Sequence, residues 1–333
     1  MNRWQREMLL PIAAAAIVWG LWLLADGTRP YWHAKESVLI EIPRGTGTRA
    51  IAQMLEETGV IRSRTTFLWL HVLWSRGTLK AGEYSFDQPA STLEILRKLL
   101  RGEIAYKVLV IPEGYNRFEV AAAMAAQGFC PEEECLQATQ DTSLIADLAP
   151  QAETLEGYLF PDTYHVPLRA RPEQLVGAMV ERFRQVYSSL NPPSENRSLH
   201  EIVTMASLAE KETALSEERP LVAAVFYNRL RRGIALQCDP TVIYAALLEN
   251  RYDGVIRQSH LSSRSPYNTY IHRGLPPGPI SSPGKDSLVA AMHPAASDYL
   301  YFVADAEGQR HTFSRTLAEH NTAVRQYRRS QNP

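Results

Sequence analysis

The sequence predicts an α+β protein in three parts: an N-terminal membrane-spanning helix, a small module of strands and helices, and a larger, mainly helical domain with loop and short-strand insertions. Three observations predict it. Residues 9–25 form an apolar run without a charge; strand-like alternation and helical periodicity succeed each other between residues 38 and 111; and from Asn116 onward helical patterns dominate, broken by loops dense in Gly, Pro and aromatics. At 333 residues the chain has room for two domains of ordinary size.

The first part reads LLPIAAAAIVWGLWLLA from Leu9 to Ala25, flanked by Arg3 and Arg6 before it and Asp26 and Arg29 after it. Such a helix is about 25 Å long, the short end of what crosses a bilayer. Trp4, Trp19, Trp22 and Trp32 stand where indole rings favour the interface, and the two arginines favour a cytoplasmic N-terminus over residues 1–8. The expected topology is a single pass through a bacterial inner membrane, with the bulk of the chain in the periplasm. A cleaved signal peptide is the rival, but the run is long for one and no small-x-small site precedes Asp26. A buried helix of a soluble protein is the remaining alternative.

Charge excludes one class of partner. Thirty-five Lys and Arg against 36 Asp and Glu leave a net charge of −1 with no basic stripe, so no nucleic-acid partner is expected. Three cysteines cannot build a disulfide scaffold. In an oxidising compartment Cys130 and Cys135 can pair across C-P-E-E-E-C, although two unbonded thiols fit equally well, and Cys238 reads as a small buried residue.

In the second part, residues 38–111, Val38–Ile42 alternates as a strand, helices are expected over about 49–58 and 64–74, and Lys80–Phe86 reads as a strand. Ser91 N-caps a helix running through Leu100, and Tyr106–Ile111 is again strand-like. The third part, residues 112–325, carries helical patterns at 117–127, 131–139, 172–190, 198–213, 218–231, 240–248 and 286–293. From Arg325 the chain is polar and basic, so residues 326–333 are expected to form a fraying tail.

Chemistry concentrates at the end of the helix His200–Thr213, apolar in its middle and then presenting Glu210 and Glu212. Carboxylates there meet the unfavourable end of the helix dipole, and partial burial disfavours their ionisation, so one of them suits a general acid. Residues two apart on a helix point about 200° from each other, so both cannot enter one cleft. Periodicity does not decide between them, and a solvated helix end is the plain alternative. No H-x-x-x-H, C-x-x-C or phosphate-cradling G-x-x-x-x-G-K occurs, so neither a metal nor another cofactor is expected.

Several stretches carry a resemblance: L-E-G-Y-L-F-P-D-T-Y at 155–164, M-A-S-L-A-E-K-E-T at 205–213, E-E-R-P-L-V-A-A-V-F-Y-N-R-L at 217–230 with L-Q-C-D-P-T-V-I-Y at 236–244, S-P-Y-N-T-Y-I-H-R-G-L-P-P-G-P-I at 265–280, and Y-L-Y-F-V-A-D at 299–305 with H-T-F-S from His311. In order and spacing they resemble the endolytic murein transglycosylase, or YceG-like, family. The resemblance implies a membrane-anchored enzyme with a LysM-like glycan-binding module at 38–111 and a lysozyme-like catalytic domain. It would cut nascent peptidoglycan strands between N-acetylmuramic acid and N-acetylglucosamine, leaving a 1,6-anhydro end and so terminating elongation. The family's catalytic acid matches Glu212, with Glu210 as the fallback, and a peptidoglycan synthase is the protein partner the family suggests. Cys238 departs from the small residue found there in other members.

One glutamate can serve both steps, first as acid to the glycosidic oxygen, then as base to the muramyl 6-hydroxyl, because an intramolecular nucleophile replaces part of the work of a second group. A conventional glycosidase needs a second carboxylate, for which Glu156, Asp162, Glu218 and Asp239 are the candidates. The rivals are therefore a muramidase-type hydrolase using water, and a non-catalytic peptidoglycan-binding scaffold. For substrate contact, the sequence offers Glu156, Tyr158 and Asp162 in one aromatic turn, Glu218 and Asn228 about the next helix, Gln237 and Asp239 before another, and Tyr267, Asn268 and Tyr270 in a loop rich in amide and hydroxyl groups. Against these stand a packed turn for the first group, an N-cap for Asp239 and polar helix packing for Asn228.

Overall fold

The computed structural model describes residues 3–33, 37–74, 77–192 and 197–331, with side chains described from Ala14 onward. The backbone divides into two compact units, Met1–Lys107 with His165–Arg169, and Val108–Tyr164 with Ala170–Pro333.

The first unit contains α1 (Arg3–Thr28), β1 (Val38–Ile42), α2 (Thr48–Glu57), α3 (Arg64–Trp74), β2 (Gly82–Phe86), α4 (Thr92–Arg101) and the start of β3 (Tyr106–Val110). β1 and β2 pair antiparallel with Ile40 opposite Tyr84, and the alternation of β1 turns Ile40 and Ile42 inward while Leu39 and Glu41 face out. Ile51 and Leu55 of α2, Phe67 of α3 and Leu96 and Leu99 of α4 close this core. α4 starts where the sequence marks it: Ser91 Oγ accepts from the Glu94 N–H at 3.2 Å and the Glu94 carboxylate accepts from the Ser91 N–H at 2.7 Å. α1 packs on α3 and α4, where the buried Asp26 accepts a 2.6 Å hydrogen bond from Thr66 Oγ1. Farther back on α1, Ile17, Val18 and Leu21 are exposed. Among the described residues no helix is long and apolar enough to cross a membrane. The side chains of Arg3, Trp4 and Arg6, the expected leading flank of the anchor, lie outside the described residues, as do Asn332 and Pro333.

The second unit carries α5 (Arg117–Ala126), α6 (Glu132–Ala138), β4 (Thr163–Pro167, which continues into the first unit), α7 (Pro172–Ser189), α8 (Leu199–Glu212), α9 (Arg219–Arg231), α10 (Asp239–Leu248), the short α11 (Gln258–Leu261), α12 (Lys285–Met292), β5 (Tyr301–Ala304), β6 (His311–Ser314) and α13 (Leu317–Gln331). β3 pairs with β4, and β5 with β6 as a hairpin. Its axis is α8, whose residues from Ile202 to Ala209 are all buried and which packs against α9, α10 and α12. A helix covered on every side has no single apolar stripe, which is why periodicity could not rank its two glutamates. Cys130 and Cys135 form a disulfide with Cα atoms 5.7 Å apart, and Cys238 is buried and free.

The structure departs from the sequence reading in the C-terminal tail and in two short elements. The polar stretch beyond Arg325 is helix as far as Gln331, because Glu319 caps α13 by accepting from the Arg315 and Thr316 N–H groups and good helix formers follow. β4 and α11 are additional elements, both too short for a periodic signal. Tight packing also explains one glycine: Gly157 has φ 84°, and a Cβ there would lie 2.5 Å from Pro279 and 2.8 Å from Val203 of α8. Gly157→Ala is therefore expected to cost about 3 kcal/mol through backbone strain and overlap. Denaturant unfolding checks this, and a loss below about 0.5 kcal/mol would show that the turn yields freely.

Candidate active site

α8 ends at Glu212, and the chain leaves the helix at once, Thr213 being extended. The turn that follows is closed by Glu218, whose carboxylate accepts from Thr213 Oγ1 at 3.2 Å, from the His311 N–H at 2.8 Å and from His311 Nδ1 at 2.7 Å. Burial pushes the Glu218 carboxyl up, but the hydrogen bonds from His311 outweigh it and leave its pKa below the usual carboxylate range.

Glu212 then forms part of the wall of a cavity of about 280 Å³, together with Phe226 and Arg229 of α9, Leu236, Gln237 and Asp239 before and at the start of α10, Tyr270, Phe302 of β5 and His320 of α13. Burial is the main cause that raises the Glu212 pKa, and the negative charge of Asp239 adds to it. The hydrogen bond with the Cys238 thiol and the charges of His311 and Arg229 pull the other way without cancelling it. Arg229 is itself buried, and its guanidinium is committed to backbone carbonyls, donating to Leu300 at 2.6 Å and to Leu236 at 2.7 Å.

The loops of the cavity are pinned from below. Thr241 and Thr269 hydroxyls lie 2.9 Å apart, Thr269 Oγ1 accepts from the Cys238 N–H at 3.0 Å, and the Gln237 N–H donates to the Thr269 carbonyl at 3.2 Å. Gln237 is held there with φ 52°, a left-handed conformation that a non-glycine residue adopts only under local constraint. Above this, Tyr270 donates to Asp239 at 2.5 Å. The result is a partly dry carboxyl facing amide, carboxylate and phenol groups, an arrangement able to give and take a proton beside a polar ligand.

Of the residues singled out from sequence, Glu212, Gln237, Asp239 and Tyr270 meet in this cavity. Glu210 does not line it: its carboxylate is 2.7 Å from Arg219 of α9 and accepts from the Gly284 N–H at 3.0 Å, at the start of α12. Glu156 and Tyr267 line a second cavity, of about 210 Å³. There burial pushes the Glu156 carboxyl up to about 7 against the pull of the Arg117 N–H and the Tyr244 hydroxyl. Tyr158 is buried behind it, 3.0 Å from His200 Nδ1. Asp162 pairs with Arg182 at 2.6 Å. Asn228 donates to the Ser297 and Tyr299 carbonyls at 3.0 and 2.8 Å, and Asn268 to those of Leu261 and Ser263 at 3.0 and 2.8 Å. These last residues fasten loops to helices.

Sequence reasoning passed over Arg229, Phe302 and His320 as walls of the cavity. For Arg229 a signal existed: a cation within V-A-A-V-F-Y-N-R-L, a helix buried on most of its circumference, has to be matched inside the fold. Phe302 and His320 reach the cavity from β5 and α13, about 90 and 110 positions after Glu212 in the chain, and no local pattern marks them.

With this geometry in view, residues 40–326 match the model of the YceG-like family. A protein of Bacillus subtilis (strain 168) named endolytic murein transglycosylase is 34% identical over 319 residues, covering 90% of this chain and 87% of its own length. One of the same name from Streptococcus pneumoniae serotype 2 (strain D39) is 30% identical over 96% of this chain, which spans 64% of that protein. A solved structure of a yceG-like protein from Listeria monocytogenes shares 34% identity and a TM-score of 0.55 over 87% of this chain and 99% of its own. A family model matched over most of the sequence, and relatives at this identity across nearly all of it, have one consequence: the chain belongs to the YceG-like family.

Proposed function

We propose that this chain is a peptidoglycan lytic transglycosylase in which Glu212 is the acid and then the base. The observation that carries the reading is the Glu212 carboxyl, half-buried and with a raised pKa in the wall of a polar cavity, in a chain whose relatives are named endolytic murein transglycosylases. Glu212, protonated, gives its hydrogen to the oxygen between N-acetylmuramic acid and N-acetylglucosamine as the bond to the muramyl C1 breaks. The muramyl 6-hydroxyl attacks C1, its proton passes to the Glu212 carboxylate, and the strand leaves with a 1,6-anhydro end and no water consumed. Gln237, Asp239 and Tyr270 offer hydrogen bonds to sugar hydroxyls, and the negative charge of Asp239 holds the proton on Glu212. Glu210, matched by Arg219, is read as the ion pair that ties α8 to α9.

A muramidase-type reaction is the second reading, and one observation favours it. Asp239 alone among the candidate second carboxylates shares the cavity with Glu212, where it can activate water. A scaffold without catalysis leaves the raised pKa of Glu212 without a purpose.

The finer setting belongs to the same proposal. Residues 9–25 anchor the chain in the bacterial inner membrane with the bulk in the periplasm, a reading supported by the uncharged run, by Arg3 and Arg6 before it and by the outward Ile17, Val18 and Leu21 of α1. The disulfide of Cys130 and Cys135 suits that compartment. The strand–helix–helix–strand order of β1, α2, α3 and β2 suits a LysM-like glycan-binding module. Cutting nascent strands would end their elongation, so a peptidoglycan synthase is the expected protein partner.

Activity, product mass, pH dependence and membrane association test this. Glu212→Gln is expected to lower strand cutting by at least about 10³-fold with the fold intact, and products of the parent are expected to be lighter by one water than reducing-end fragments. Undiminished cutting by the variant removes Glu212 as the acid, and reducing ends select the water reaction. Since a raised carboxyl pKa keeps the acid form at higher pH, kcat/KM is expected to fall as pH rises through the Glu212 pKa. Asp239→Asn, which removes a neighbouring negative charge, moves that fall to lower pH; a pH profile that stays in place excludes this electrostatic link. Deleting residues 1–28 is expected to move the protein from the membrane to the soluble fraction, and persistence in washed membranes contradicts the anchor.

A further inference from the structure

We propose that the cavity beside Glu156 binds the terminal carboxylate of a stem peptide, the short peptide that hangs from the muramic acid of a strand engaged at Glu212. The inference rests on the transglycosylase reading for the identity of the ligand, but the residues that carry it lie outside the Glu212 cavity.

Arg117, the first residue of α5, brings a cation to this cavity together with Glu156, His200, Tyr244, Leu248 and Tyr267. Its guanidinium lies 4.4 Å over the Phe118 ring, and its Nε and Nη1 are buried with no hydrogen-bond partner among the described residues. Glu156 is 3% exposed, and its Oε1 is likewise buried and unpartnered. Buried donors of this strength are normally matched, and the two carboxyls of the cavity leave Arg117 Nε and Nη1 without a partner: Glu153 is exposed, and burial keeps Glu156 largely protonated up to about neutral pH. A ligand carboxylate resolves both deficits, since it accepts from Arg117 and can accept the hydrogen of the Glu156 acid. A neutral sugar hydroxyl would leave the cation unmatched, whereas a phosphate dianion would exceed the single guanidinium that lines the cavity.

The location fits a peptide attached near Glu212. α10 runs from one cavity to the other: Asp239 at its start lines the Glu212 cavity, Pro240, Ile243, Tyr244 and Leu247 line an intermediate one of about 350 Å³, and Tyr244 and Leu248 line the Arg117 cavity. From Pro240 to Leu248 these positions lie on one face at helical spacing. Nine residues at about 1.5 Å each separate the two end cavities by about 13 Å. Four amino acids drawn out at about 3.5 Å each reach about 14 Å. The intermediate cavity has Phe118, Ile243 and Leu247 in its wall beside Asn116, Glu119 and Lys211, a lining that can take a peptide's apolar and polar groups alike.

A thermodynamic cycle tests the pairing. The probes are a synthetic muramyl tetrasaccharide whose four-residue peptides end in a free carboxyl, and the same compound with terminal amides. Each is titrated calorimetrically into full-length chain carrying Glu212→Gln, with Arg117 intact or as Arg117→Gln. Amidation and Arg117→Gln are each expected to weaken binding about tenfold, and together no more than either alone, because both remove the same contact. Arg117→Lys, which keeps the charge, is expected to recover part of the affinity for the free acid alone. Independent, multiplying losses, or no loss on amidation, overturn the proposal, and the amide arm does so even where a variant folds poorly. Cutting of the free-acid compound by the parent is scored separately. A parent that does not cut, with the cycle intact, removes the transglycosylase reading and leaves the carboxylate site standing.

Discussion

A half-buried carboxyl group that ends an apolar helix, where burial disfavours its ionisation, is the constraint on which the second unit turns. α8 is buried along its whole middle, so whatever stands at its end inherits a low-dielectric setting. Burial pushes both Glu210 and Glu212 up; what separates them is what they face. Glu210 meets Arg219 and the backbone at the start of α12, whereas Glu212 meets an open cavity. Arg229, the arginine that lines this cavity, spends donors on the Leu236 and Leu300 carbonyls and is not a direct ion-pair partner that would hold Glu212 ionised.

The surroundings of Glu212 are assembled from distant parts of the chain, and each part is fixed by a contact of its own. Thr241 and Thr269 lock two loops together, Glu218 and His311 tie the turn after α8 to β6, and Asn228 holds the segment leading into β5. Glu218 and Asn228, which the sequence offered as sugar contacts, thus hold neighbouring loops by these bonds, and Gln237, Asp239 and Tyr270 line the cavity. This is the usual condition for a preorganised site: rotamers and loops fixed before the ligand arrives.

Much of this was legible in advance because it is local. The Ser91–Glu94 capping box, the alternation of Val38–Ile42 and the wheel argument that Glu210 and Glu212 must diverge all depend on residues within a turn or two of one another. The resemblance of five ordered stretches singled out the same helix end. What escaped is non-local. The walls supplied by Phe302 and His320, the meeting of Arg117 with Glu156 across 39 positions, and the role of Asn268 as a loop fastener all arise from tertiary contacts without a periodic trace. α13 escaped for a related reason: Ala323 is its one buried residue, so its helicity comes from propensity and capping rather than from an apolar stripe.

The central claim, that Glu212 stays protonated where a glycosidic oxygen would lie, is open to direct measurement. Carbon-13 NMR of protein labelled at glutamate carboxyls, with Glu212→Gln to assign the signal, follows its titration. Glu212 is expected to titrate above the roughly 4.3 of a free glutamate side chain. A Glu212 signal titrating at that ordinary value would contradict it.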